Sequence, residues 1–167
     1  MGRALFVVDM QNICVGKNHA KFFKYDRNML ITAVNERIAV YENENVFYIC
    51  KVMKNNFLNK LAPVKAFYGS FEAEIAEDVN VVSDNIIIKY KGDAFSNPEL
   101  IKILAEKKID EIEFTGLDGG GCVALTALGA LKNSLKVIIN ESAVGTMFVK
   151  KAEKYKSILI DKGAEII

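Results

Sequence analysis

The chain has 167 residues, of which 51% are hydrophobic and 26% charged, with a formal net charge of +1, a balance that fits one globular domain able to bury a core. Near-neutrality removes any general electrostatic case for nucleic acid or an acidic membrane surface, and no stretch approaches the ~20 apolar residues of a membrane span. Three cysteines without paired spacing point to a reducing cytoplasm rather than a disulfide framework, and the apolar run within MGRALFVVDM is too short for a signal peptide.

Taken in order, Ala4 to Val8 is a continuous apolar run, as expected of a strand buried on both faces of a parallel sheet. It ends at Asp9, followed by Met10, Gln11 and Asn12. A carboxylate at the carboxyl end of a buried strand lies where open α/β sheets hold ligands; position alone equally allows a simple turn cap. Residues 13 to 25 read as a loop containing the only histidine, His19. Asp26 is placed to cap a helix running to about Tyr41, on the helical spacing of Met29, Leu30, Ala33, Val34 and Ile38. Val46 to Val52 is the second strand. Residues 53 to 84 are the least regular, with Lys54-Asn55-Asn56, Pro63 and the aromatic segment Phe67 to Phe71. Loops of this length are often functional, so Phe57 and Tyr68 are candidates to wall a pocket, with simple packing as the alternative.

Asn85 to Ile88 is the third strand, ending at Lys89. Asn97, Pro98 and Glu99 then form a helix start. Glu111 to Thr115 is the fourth strand, expected to stop at Gly116. A glycine turn and a small-residue helix opening at Cys122 follow. A thiol at a helix start sits among backbone N–H groups without intrahelical partners, and these and the helix dipole favour a thiolate. Leu135 to Ile139 is the fifth strand, Thr146 to Lys162 a helix whose Lys150, Lys151, Lys154 and Lys156 make a solvated face, and Ala164 to Ile167 a short sixth strand. Strands alternating with helices predict a single domain over residues 1–167: a three-layer α/β/α sandwich with a mostly parallel, Rossmann-like sheet of about six strands, near order 3-2-1-4-5-6.

Asp9, Lys89 and Cys122 thus each stand just beyond the carboxyl end of a different predicted strand, and in a parallel sheet those ends share one edge. A thiolate that attacks a carbonyl, a carboxylate that moves the proton, and a lysine that holds the array form a coherent set for acyl transfer. Backbone N–H groups of the glycine turn are placed to hold an oxyanion. A buried cysteine, a capping aspartate and an exposed lysine remain the alternative on the same residues.

Three segments add a resemblance. Val7-Val8-Asp9-Met10-Gln11-Asn12, Lys89-Tyr90-Lys91-Gly92-Asp93-Ala94-Phe95 and Gly116-Leu117-Asp118-Gly119-Gly120-Gly121-Cys122-Val123, with Thr126, Ala127 and Ala130 beyond, resemble in order the three motifs of the isochorismatase-like cysteine hydrolases. That group contains nicotinamidases and N-carbamoylsarcosine amidases. The resemblance implies Asp9 as base and proton shuttle, Lys89 as its charged partner and Cys122 as nucleophile. It implies a cis peptide at Leu117–Asp118 that aims the N–H of Asp118, with that of Cys122, at the oxyanion. Lys91 competes with Lys89 but has the wrong spacing to Phe95. Gly119 stands where many members have Thr or Asn, and Cys14 where the first motif usually has Phe; with Gln11, Phe57 and Tyr68 these are the expected pocket residues. Cys14 is also a candidate to influence oxidation of Cys122.

Nicotinamidases carry an Asp and histidines after the second strand to hold a metal. Here that region reads Cys50-Lys51-Val52-Met53-Lys54-Asn55-Asn56, which supplies no such ligand set. The expectation is therefore no metal and no cofactor, which argues against nicotinamidase activity. The reading is a hydrolase of a small amide, carbamoyl or related C–N bond through a thioester, in a homodimer or larger assembly, with a small-molecule substrate. Three other readings stay open. Vinyl-ether hydrolysis of isochorismate is one, although the cysteine favours acyl chemistry. A non-catalytic small-molecule binder is another. The third is a dinucleotide site, because Gly119 to Ala124 satisfies G-x-G-x-x-A with Glu141 downstream. A P-loop is excluded, since no Gly-Lys-Ser/Thr follows.

Overall fold

The structure is a computed structural model that describes residues 2–21, 23–61 and 65–167; Pro63 lies outside them. In chain order its strands are β1 (Gly2–Val8), β2 (Val46–Lys51), β3 (Ile86–Lys89), β4 (Ile109–Leu117), β5 (Lys136–Gly145) and β6 (Glu165–Ile166). The helices are α1 (Asn12–Val15), α2 (Arg27–Ile38), α3 (Phe57–Lys60), α4 (Pro98–Glu106), α5 (Cys122–Lys132) and α6 (Val149–Asp161). The strands form one sheet in the order β3-β2-β1-β4-β5-β6, and every pairing is parallel.

Alternation along the strands divides the core in two. Ala4, Phe6 and Val8 of β1 join Phe47, Phe114, Leu100 and Ala127 on one face; Leu5 and Val7 join Leu30, Val34, Ile38 and Tyr48 on the other. Both faces are thus covered, which is why β1 carries no polar side chain from Ala4 to Val8. The helix starts follow their sequence signals. The Asp26 side chain accepts from Met29 N at 3.0 Å, and Asn97 Oδ1 accepts from Glu99 N at 3.1 Å with Pro98 in the first turn; each such cap is worth about 1 kcal/mol.

Several boundaries differ from the sequence reading: β4 starts at Ile109 and β5 runs on to Gly145, and three other differences bear on the site. The stretch 13 to 25 contains the single turn α1, tied down where Asn12 N donates to Glu74 O at 2.8 Å. Lys89 is the last residue of β3 rather than the first beyond it. Gly116 does not stop β4: with φ of +96° it stays in the sheet, paired with Val8 and Val144. A Cβ there would lie 2.2 Å from Val8 O, so only glycine lets β4 continue against β1 to Leu117.

Glu113, in the middle of β4, is wholly buried. Its carboxylate accepts from Arg37 Nε at 2.7 Å and Nη2 at 2.8 Å, Arg3 Nη2 at 2.9 Å, Tyr41 Oη at 2.7 Å and Asn140 Nδ2 at 3.0 Å. The charge tolerates burial because every oxygen is hydrogen-bonded to a charged or polar donor. Among the described residues no helix is long and apolar enough to cross a membrane.

Candidate active site

Asp9 follows β1 in a left-handed conformation, φ 51°, which aspartate tolerates better than most residues. Its amide donates to Ile49 O at 2.8 Å. This turn leaves the side chain beneath the ends of β2 and β3: Oδ1 accepts from Lys51 N at 3.1 Å, and Oδ2 from Lys89 Nζ at 3.1 Å. Lys89 has no exposed side-chain surface. Its ammonium also donates to Gly92 O at 3.1 Å, and Gly92 O accepts from Thr126 Oγ1 of α5 at 3.2 Å. The lysine is thereby anchored from both sides. Burial pulls its pKa down, but Asp9 and the Cys122 sulfur outweigh that and hold it above the usual value.

Cys122, the first residue of α5, lines the same cavity as Asp9 and Lys89, and both of their charges act on its thiol. Its thiol is pushed up to about 11 by burial first and then by the Asp9 charge, with Lys89 opposing. The expectation that the helix start would favour a resting thiolate is therefore corrected. Desolvation and the adjacent carboxylate outweigh Lys89 and push the thiol upward.

The glycine turn is shaped by Asp118. Its Oδ1 accepts from Gly120 N at 3.2 Å and from Met147 N at 3.0 Å, and its carbonyl accepts from Gly121 N at 2.8 Å and Val123 N at 3.2 Å. The Leu117–Asp118 peptide is cis. Neither the Asp118 N–H nor the Cys122 N–H donates to a described residue.

These groups open into a cavity of about 1030 Å³. Gln11 and Cys14 line it, although Gln11 is occupied: its amide bonds Lys51 N at 2.9 Å, Lys51 O at 3.0 Å and Ala73 O at 2.7 Å. Gln11 is thus a clasp joining the ends of β1 and β2 to the segment around Ala73. Three expected pocket residues lie elsewhere. Phe57 and Tyr68 point outward, 75% and 73% exposed, and do not line the cavity. Gly119 lies on the opposite side of the turn, where a Cβ would meet Thr146 Oγ1 at 2.8 Å, and faces a minor hollow of about 60 Å³. The aromatic and thioether walls come instead from Phe23, Met53 and Tyr90. Met53 and Tyr90 follow the second and third strand ends closely enough to have been read from the chain. Phe23 carries no such signal, because the path of its loop depends on contacts such as Tyr25 Oη to Cys14 O at 2.7 Å.

His19 contacts Gly16 O through Nδ1 at 2.9 Å, away from the cavity lining. Among the described residues no group of three or more His, Cys, Asp or Glu is arranged to hold a metal. Glu141, the acid of the dinucleotide pattern, is ion-paired with Lys156 at 2.8 Å and does not line the main cavity.

The fold and site define a class: a parallel, doubly wound α/β domain with a thiol, a carboxylate and an ammonium lining one cavity at the carboxyl edge of its sheet. The sequence pattern of the isochorismatase domain matches residues 3–167, and the chain belongs to the isochorismatase family of hydrolases. No curated protein sequence matches significantly. Among solved structures it is similar to an isochorismatase-like hydrolase from Alkaliphilus metalliredigens, at 23% identity and TM-score 0.83, covering 99% of this chain and 94% of that one. It is also similar to nicotinamidase/pyrazinamidase from Bacillus subtilis, at 19% identity and TM-score 0.83, covering 99% of each chain. N-carbamoylsarcosine amidase from Thermoplasma acidophilum is similar at 21% identity and TM-score 0.80, covering 99% of this chain and 95% of that one.

Proposed function

We propose that the protein hydrolyses a small-molecule amide, carbamoyl or related C–N bond through a thioester at Cys122, without a metal. The Cys122 thiol, which shares a ligand-sized cavity with the paired Asp9 and Lys89, carries this reading. Asp9 takes the Sγ proton as sulfur attacks the carbonyl carbon, so no standing thiolate is needed. The C=O electron pair moves to oxygen, and the N–H groups of Asp118 and Cys122 donate to that oxyanion. As the C–N bond breaks, the protonated Asp9 returns its proton to the leaving amine. Asp9 then takes a proton from water, which attacks the thioester carbonyl; collapse breaks the C–S bond, and Asp9 returns the proton to sulfur. Lys89 stays charged throughout and keeps Asp9 ionised between steps.

Support for metal independence comes from the donor set, since the end of β2 and the chain just beyond it present Lys51, Met53, Lys54 and Asn55 where metal ligands would be needed. The decisive experiment is an amide and carbamoyl substrate screen with intact-mass detection of an acyl adduct. The active substrate is then turned over by Cys122→Ala. Loss on the order of 10⁴-fold, with the fold retained by circular dichroism, is expected; full activity in Cys122→Ala overturns the mechanism.

A further inference from the structure

The cavity is positively charged although the chain as a whole is near neutral at +1. Four lysines line it, Lys51, Lys54, Lys89 and Lys91, against two carboxylates, Asp9 and Asp118. Both carboxylates are engaged: Asp9 by Lys89 and the Lys51 amide, and Asp118 by the Gly120 and Met147 amides. The remaining lysines, Lys51, Lys54 and Lys91, are exposed and make no ion pair among the described residues. Lys54 Nζ lies 5.6 Å from the centroid of the Tyr90 ring, which places it at the cavity wall.

Apart from the Tyr90 hydroxyl, the neutral polar side chains of the wall have local partners. Gln11 bonds the backbone at Lys51 and Ala73, and Asn59 Nδ2 donates to Lys54 O at 2.8 Å. Ser96 Oγ donates to Asp93 O at 2.7 Å, and Asn97 Nδ2 to Ile88 O at 3.1 Å. Among the described residues, the polar groups of the lining without a hydrogen bond or ion pair are therefore the two amides beside the thiol, the Tyr90 hydroxyl and the three ammonium groups. A cleft lined by one sign of charge concentrates the opposite sign.

We propose that the substrate carries a negatively charged group, a carboxylate or phosphate, remote from the bond that is cut, and that Lys51, Lys54 and Lys91 receive it. This rests on the hydrolase reading above and names the substrate class for that same site: an acidic amide or carbamoyl compound rather than a neutral one.

The test compares alkylation of Cys122 in the full chain by anionic iodoacetate and neutral iodoacetamide, read by peptide mass spectrometry at low and high salt. Iodoacetamide alone reports on the nucleophile, and the ratio of the two rates reports on the charge around it. The ratio at Cys122 is expected to exceed that of the same cysteine in the unfolded chain by about tenfold and to shrink as salt screens the field. It should fall by a similar factor in the Lys51→Gln/Lys54→Gln/Lys91→Gln variant, and by part of that in each single variant, with folding checked by circular dichroism. A ratio equal to that of the unfolded chain, or one unmoved in the triple variant, overturns the anionic-substrate proposal and leaves the hydrolase reading standing. A Cys122 inert to both reagents overturns both. Protection of Cys122 from iodoacetamide by malonate or by phosphonoacetate identifies the carboxylate or the phosphate as the favoured anion. Equal protection by neutral malonamide counts against the proposal.

Discussion

Cys122 stands at a helix start beside a buried ammonium, two features that usually favour a thiolate, yet its thiol is pushed up to about 11. Burial removes solvation from the anion, and the charge of the Asp9 carboxylate disfavours a second negative charge. The two neighbours act oppositely, so their removal moves the thiol in opposite directions. In Asp9→Asn the midpoint of the pH profile for iodoacetamide alkylation should fall below that of the native protein; in Lys89→Gln it should rise. Midpoints that stay fixed in both variants would show that the three groups are not coupled. Lys89 also has a structural consequence. Removing one member of a buried ion pair leaves the other uncompensated, and Lys89→Met is expected to lose about 3–5 kcal/mol in urea denaturation.

At the level of elements, β4 carries two devices that the flanking strands require. Gly116 lets it pass within contact of Val8, and Gly116→Ala combines a positive φ with a backbone clash, for an expected loss of at least ~2 kcal/mol. Glu113 ties β4 to β1, α2 and β5 through Arg3, Arg37 and Asn140. Burial pushes its pKa up, but the hydrogen bonds from Arg37, Tyr41 and Asn140 outweigh that and hold it below the ordinary carboxylate value. A depressed folded-state pKa contributes stability that is present above the unfolded value of 4.5 and lost as pH falls through the folded one. Glu113→Gln should therefore flatten the acid limb of a stability–pH curve. Glu113→Ala should cost about 3 kcal/mol near neutrality, the low end for a buried pair because both arginines keep some solvent contact.

For the molecule as a whole, three cysteines make alkaline pH the vulnerable side. Burial, followed by the Asp9 charge, pushes Cys50 from 9.0 up to about 12 and raises Cys14 further. A raised folded-state pKa gives stability that is complete below the unfolded value and is lost as pH rises toward the folded one. Lys89, also raised, has the same sign. The melting temperature should decline from about pH 9 upward, and Cys50→Val should reduce the slope; a flat curve through that range would refute the account. We also propose a homodimer or larger assembly, which sedimentation velocity of the intact chain tests directly.

Much of this architecture is legible in the chain alone, because its signals are local. Continuous apolar runs such as Ala4 to Val8 mark strands covered on both faces, and caps such as Asp26 and Asn97 mark helix starts. Alternation of the two leads to a parallel sheet with ligand groups at its carboxyl edge. Asp9, Lys89 and Cys122 were visible as strand-end residues for the same reason. The order β3-β2-β1-β4 that puts them on one edge was expected as well; the particular pairing was not, since it depends on the left-handed turn at Asp9 and on the reach of Lys89 past the end of β2. The balance of burial and charge at Cys122, the outward turn of Phe57 and Tyr68, and the inward turn of Phe23 likewise arise from contacts between segments far apart in sequence. The sequence by itself determined the elements, their alternation and the chemical types at the sheet edge. Only the tertiary structure decided which of those groups touch and in what protonation state, because desolvation and pairing are properties of neighbours in space.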